Sequence, residues 1–160
     1  MPNSSFHIQS STVWDEEYFE KFVDLRNVIY EGNEHFLRQT VEELKKELTS
    51  PYFQKTPVRF KAFLWFDSNN KPFARVLCYF DPHAPEVVSF GHFELKTEYR
   101  HFSCDIQNEI ENFTKEKGVN SYRGPMQGNF FFSYRAKTWG SGHFFSAPFH
   151  LDFYPEIYQQ

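Results

Sequence analysis

The 160 residues set the expectation of a single domain with one sizeable core and leave little chain for a second. Seventeen basic against 21 acidic side chains give a formal charge of −4 with no run of Lys or Arg, which argues against nucleic acid as a partner. Phe supplies 21 residues, so a core built largely from rings is expected, and nowhere does an apolar run reach the roughly 18 residues of a membrane span.

The two cysteines, Cys78 and Cys104, make neither a disulfide framework nor a CxxC pair, which fits a reducing cytoplasm. Met1 to Ser11 is polar and lacks the charged and apolar regions of an export signal, so neither export nor membrane association is expected.

Phe6 to Gln9 alternates apolar and polar residues as a short strand does. Asp15 has the chemistry of a helix cap. Glu16 and Glu17 follow in the first turn, and Tyr18, Phe22, Leu25 and Ile29, with Phe19, Val23 and Arg26, predict a broad apolar face that Gly32 and Asn33 end. The chain from Asn33 to Thr40 is expected to wrap over the fold rather than coil freely. Thr40-Val41-Glu42-Glu43 has capping-box spacing, and Val41, Leu44 and Leu48 predict a short helix before Pro51.

Val58 to Asp67 places Val58, Phe60, Ala62, Leu64 and Phe66 on one side and Arg59, Lys61, Phe63 and Trp65 on the other, a strand that becomes covered on both faces. Ser68 to Lys71 supplies turn residues, and Pro72 to Phe80 predicts the second strand of a hairpin. Asp81 to Pro85 is a proline-pinned connection. Val87, Val88, Phe90, Phe93 and Leu95 then predict a central strand in which Gly91 points to a bulge or a close backbone approach.

From Phe102 the period changes to helical, with Phe102, Ile106, Ile110 and Phe113 as the stripe and Gly118 as a left-handed stop after Lys115 and Lys117. Val119 to Tyr122 returns as a strand beside the first. The strand, helix and strand predict a right-handed crossover, and the whole an α/β (α+β) fold: a mixed sheet with an antiparallel hairpin, a parallel crossover and helices on both faces. The aromatic stretch from 129 to 154 has no clean period and reads either as loops laying rings over the sheet or as the wall of an apolar pocket. Pro155 to Gln160 opens a helix.

In order and spacing these elements resemble the GNAT acyltransferase superfamily, and more specifically a poorly characterised branch of it. The likeness lies at Asp24-Leu25 through Ile29-Tyr30-Glu31-Gly32-Asn33, Asn70-Lys71 through Arg75, Phe90-Gly91-His92-Phe93-Glu94 and Arg123-Gly124-Pro125-Met126, and spans Asp15 to Gln160. It implies transfer of an acyl group from acetyl-CoA or another acyl-CoA to a small-molecule or peptide amine. It also implies that the backbone of His92, Phe93 and Leu95 meets the pantetheine arm, and that Arg100, His101, Phe102 and Ser103 form the turn that cradles pyrophosphate. The family pattern Q/R-x-x-G-x-G/A falls on Arg100 to Asp105 without either glycine, and Asp105 adds negative charge there. The second reading is therefore a non-catalytic binding or regulatory module.

The resemblance makes Tyr158 the candidate acid for the departing thiolate. The Gly-Phe pair that follows this tyrosine in the family is absent, so the chain is expected either to be the leading fragment of a longer protein or to lack the closing strands, with a sheet edge left for self-association. Glu94, on the central strand, is either the base that takes a proton from an attacking amine or a surface carboxylate at a strand end. Cys104 beside His101 is either an activated thiol or a small buried side chain. The histidines show no HxH or HxxxH spacing, so no metal site is expected, and His143 and His150 among the rings can line a pocket.

Overall fold

The computed structural model describes residues 5–34, 36–55, 58–126 and 151–158, without the side chains of Tyr52 and Tyr158. Five strands, β1 (His7–Ser11), β2 (Arg59–Phe66), β3 (Pro72–Phe80), β4 (Val88–Leu95) and β5 (Tyr122–Arg123), form one sheet in chain order. The first four are antiparallel to their neighbours, and β5 runs parallel to β4 after the crossover. The mixed sheet with a hairpin and a parallel crossover is thus the predicted one.

Helices cover both faces. On one lie α1 (Glu16–Ile29), α2 (Val41–Leu48) and the short α3 (Pro51–Lys55), which no periodicity announced. Asp15 caps α1 by accepting the Tyr18 N–H at 2.8 Å, and Thr40 with Glu43 closes the capping box of α2. Gln39, in the connection between them, is tied to α1, because the Asn27 amide donates to the Gln39 carbonyl and accepts the Gln39 N–H, both at 2.9 Å. The other face carries α4 (Ser103–Glu116) and α5 (Tyr154–Tyr158). No helix among the described residues is long and apolar enough to cross a membrane.

β2 shows why the two layers exist. Ala62, Leu64 and Phe66 pack toward α1 and α2, while Phe63 and Trp65 pack in the α4 layer, so a period of two feeds two separate cores. The β2–β3 turn is held by Asp67, whose carboxylate accepts the Asn69 and Lys71 N–H groups at 2.9 Å each, with Asn70 left-handed at φ 60°.

All eight residues of β4 are buried, and within it the alternation slips. Leu77 pairs with Gly91 and Arg75 with Glu94, so two steps along β3 match three along β4. The extra residue is a bulge at His92, which is left-handed at φ 51°. Because the side-chain period is two, the slip keeps Phe93 and Leu95 in the α4 layer with Val88 and Phe90, and turns Glu94 toward α1. The sequence placed this irregularity one residue early, at Gly91.

Candidate active site

β4 and β5 part company almost at once. Their register covers Val88 with Tyr122 and Ser89 with Arg123, and beyond it the Met126 N–H donates to the Phe90 carbonyl at 2.7 Å. A cavity of about 280 Å³ opens where they diverge. Phe90 and Phe93 of β4, Ile106 and Ile110 of α4, Tyr122 of β5 and Ile157 of α5 supply its apolar wall. Ser103, Gln107 and Arg123 add polar groups, and the Gln107 amide donates to the Tyr122 hydroxyl at 2.8 Å. An apolar cleft with a few placed polar groups, near the lower end of ligand-pocket sizes, suits a narrow chain.

Gly124 makes the crossing possible. A Cβ there would stand 2.5 Å from the Phe90 carbonyl oxygen and 2.6 Å from two carbons of its ring. Gly124→Ala is expected to push the strands apart and cost about 1–3 kcal/mol, the usual range for overpacking. Urea unfolding checks it, and a change below about 0.5 kcal/mol would show that the two strands have room to give.

On the far side of β4 lies a buried polar cluster. Glu94 is fully buried, so the reading of a surface carboxylate is overturned. Its carboxylate accepts Arg26 Nη1 at 2.6 Å, the Tyr30 hydroxyl at 2.8 Å and the Tyr154 hydroxyl at 2.9 Å, with Arg75 Nη2 at 3.9 Å. Arg75, wholly buried, also donates to the Phe22 carbonyl at 2.6 Å and to Gln39 Oε1 at 3.3 Å, and lies over the Phe22 ring. Burial pulls its guanidinium down to about 10 against the pull of Glu94. Burial first, and then the Glu94 charge, push the Tyr30 phenol far above its ordinary range, so it stays a donor.

The Tyr154 hydroxyl does two jobs. It donates to Glu94 and accepts the Leu95 N–H at 2.8 Å, while its ring meets the Phe93 ring edge-on at 5.1 Å. Tyr154 therefore links the buried carboxylate to a ring of the cavity wall. Next along, His92 Nε2 lies 2.9 Å from Glu47 Oε1, and the Tyr79 hydroxyl donates to the same oxygen at 3.4 Å. Burial raises the Glu47 carboxyl, but the His92 ring, Tyr79 and Arg75 together hold it below the usual range.

Of the residues the sequence singled out, Phe93 and Ser103 line the cavity. Leu95 packs in the α4 layer, and His92 faces the opposite layer. Arg100 and His101 are exposed, Phe102 is buried, and the His101 ring rests against Phe102 at 4.3 Å. Cys104 is exposed, which overturns its reading as a buried side chain. Tyr158 ends α5, and its side chain lies outside the described residues, as do His143, His150 and the aromatic stretch up to residue 150. Arg26, Tyr30, Arg75 and Tyr154 were not foreseen. Arg75 left a trace: a cation amid PFARVLCYF needs a buried counter-charge, and Glu94 on the next central strand is one.

The turn after β4 departs most from the expected cradle. A 3-10 helix over Thr97–Phe102 follows directly and runs into α4 without a break. The Tyr99 N–H bonds the Lys96 carbonyl at 2.9 Å and the Ser103 N–H bonds the Arg100 carbonyl, so groups a glycine loop would aim at phosphate are used within the helix. Glu98 and Asp105 add negative charge at the start of each segment. The cleft therefore fits the acyl and pantetheine portion of coenzyme A, and the turn does not fit its pyrophosphate.

No protein-family model and no curated protein sequence matches the chain. Solved structures do. An aminoglycoside acetyltransferase from an uncultured soil metagenomic sample, in complex with trehalose, matches at TM-score 0.54 and 13% identity over 89% of this chain and 97% of its own. A predicted acetyltransferase from Clostridium acetobutylicum, with acetyl-CoA, matches at 0.51 and 14% over 74% and 79%. An aminoglycoside antibiotic 6'-N-acetyltransferase from Acinetobacter baumannii matches at 0.50 and 10% over 88% and 99%. With its mixed sheet, bulged β4 and splayed β5, the chain has the fold of the GNAT acetyltransferases.

Proposed function

We propose that the chain is an acyltransferase that moves an acyl group from a thioester, such as an acyl-CoA, to the nitrogen of an amine. The cavity at the parting of β4 and β5 carries this reading, because it offers a narrow apolar cleft, with the buried carboxylate of Glu94 on the opposite side of β4. In the reaction the amine nitrogen attacks the thioester carbonyl, the C–N bond forms and the C–S bond breaks. The nitrogen loses a proton and the sulfur gains one.

Glu94 is the proposed final acceptor of the amine proton. Tyr154 donates its hydroxyl proton to Glu94 and packs its ring against the Phe93 ring of the cavity wall, which makes it the proposed carrier of that proton. Tyr158 is the proposed donor to sulfur, one residue beyond the cavity-lining Ile157. Two of the similar structures are acetyltransferases of aminoglycosides, which supports a small-molecule amine as acceptor here, with a peptide amine as the other candidate.

The altered turn favours a second reading, a binding module of the same fold without turnover. Thermal unfolding with acyl-CoA species addresses both. Occupancy at about 100 times the dissociation constant stabilises by about 2.7 kcal/mol, a rise of roughly 5–11 °C for a chain of this size. No rise with any acyl-CoA would remove the transferase reading, and a rise without amide formation across a panel of amines would leave the binding module.

A further inference from the structure

The helix that replaces the phosphate cradle has a consequence for the donor, which rests on the transferase reading above. We propose that the site reads only the acyl-pantetheine portion of its thioester donor and makes no use of the 3'-phosphorylated ADP end of coenzyme A.

Three observations carry this. First, Thr97–Phe102 and Ser103–Glu116 form one uninterrupted helical run, so no free N-terminus faces the cavity at Ser103, and the run begins two turns earlier at the end of β4. Second, the turn gathers no dominant positive charge: Lys96 precedes it, Glu98 and Asp105 open the two segments, and Arg100 and His101 stand exposed in solvent, where an ion pair contributes little. Third, the cavity has the chemistry of the rest of the molecule. Phe93, Ile106 and Ile110 suit an alkyl chain, and Ser103, Gln107 and Arg123 can bond the amides that space a pantetheine arm. A thioester of free coenzyme A and one carried on a phosphopantetheine arm share this chemistry.

Isothermal titration of the full chain with acetyl-CoA, S-acetylpantetheine and adenosine 3',5'-bisphosphate tests it. The expected result is that the two thioesters bind within about threefold of each other and the bisphosphate gives no signal. A cradle making two charge-assisted hydrogen bonds would tighten acetyl-CoA about a hundredfold or more over S-acetylpantetheine. That outcome, or binding of the bisphosphate, overturns the inference and leaves the transferase reading standing. Binding of neither thioester sinks both. Arg100→Ala with His101→Ala is expected to leave acetyl-CoA affinity unchanged, and a tenfold loss would overturn the inference even if the first comparison were close.

Discussion

Glu94→Gln is expected to destabilise the chain by about 3–5 kcal/mol, the range for breaking a buried ion pair by removing one partner. The amide keeps the shape of the carboxylate and loses what the site is organised around. Arg26, Tyr30 and Tyr154 all donate to Glu94, and an amide offers one oxygen and a second donor in place of two acceptors. The two arginines respond differently. The Arg26 side chain is 17% exposed and can recover some hydration, but Arg75 is 0% exposed and keeps the Phe22 carbonyl, Gln39, the Phe22 ring and the charge of Glu47, with which it has no direct ion pair. Most of the cost therefore falls on Arg75.

A double-mutant cycle decides whether that assignment holds. Arg75→Met alone removes the buried cation and leaves Glu94 with Arg26. Combined with Glu94→Gln, it removes the unpaired charge that the first change created. The pair is expected to lose less than the sum of the singles by about 1–3 kcal/mol in urea unfolding. Strict additivity would mean that Arg75 and Glu94, 3.9 Å apart, do not sense each other, and Glu94 would then be held by Arg26, Tyr30 and Tyr154 without Arg75.

The fold was legible where local chemistry and period agree. Asp15 and the Thr40 capping box mark their helices, the Asn69-Asn70 turn joins two alternating strands, and Phe102 to Phe113 gives the α4 stripe. The site was less so, because its parts are distant in sequence. Tyr154 meets Glu94 across 60 residues from within a stretch of rings that has no period, and resemblance pointed instead to Tyr158, one helical turn on. Arg26 falls on the apolar face of α1, where its stem packs like a hydrophobe and its head reaches β4. The Thr97 to Phe102 turn was misread for a simpler reason. With no Gly or Pro between Lys96 and Gly118, nothing stops the α4 helix from extending backward into it.

Tyr154→Ala is expected to cost about 3–5 kcal/mol and Tyr154→Phe about 1–3 kcal/mol, and the difference between them identifies what docks the last described segment. Phe retains the buried ring and its edge contact with Phe93, but leaves the Leu95 N–H without its acceptor and takes one donor from Glu94. Ala also empties the space of a ring that is wholly buried. A five-residue helix does not hold itself together in water, so α5 depends on Tyr154 and on the packing of Leu151, Phe153 and Ile157 against the α4 layer. Hydrogen exchange is expected to show Tyr154 to Tyr158 protected in the Phe variant and exposed in the Ala variant, with the β2–β3 hairpin protected in both. Because Ile157 lines the cavity, thioester affinity should follow the exchange pattern: near normal for Phe and weakened for Ala. Equal stability losses for the two variants would place the anchor in the hydroxyl rather than the ring. Protection of α5 in the Ala variant would detach the segment from Tyr154 altogether, and with it the proposed route from the cavity to Glu94.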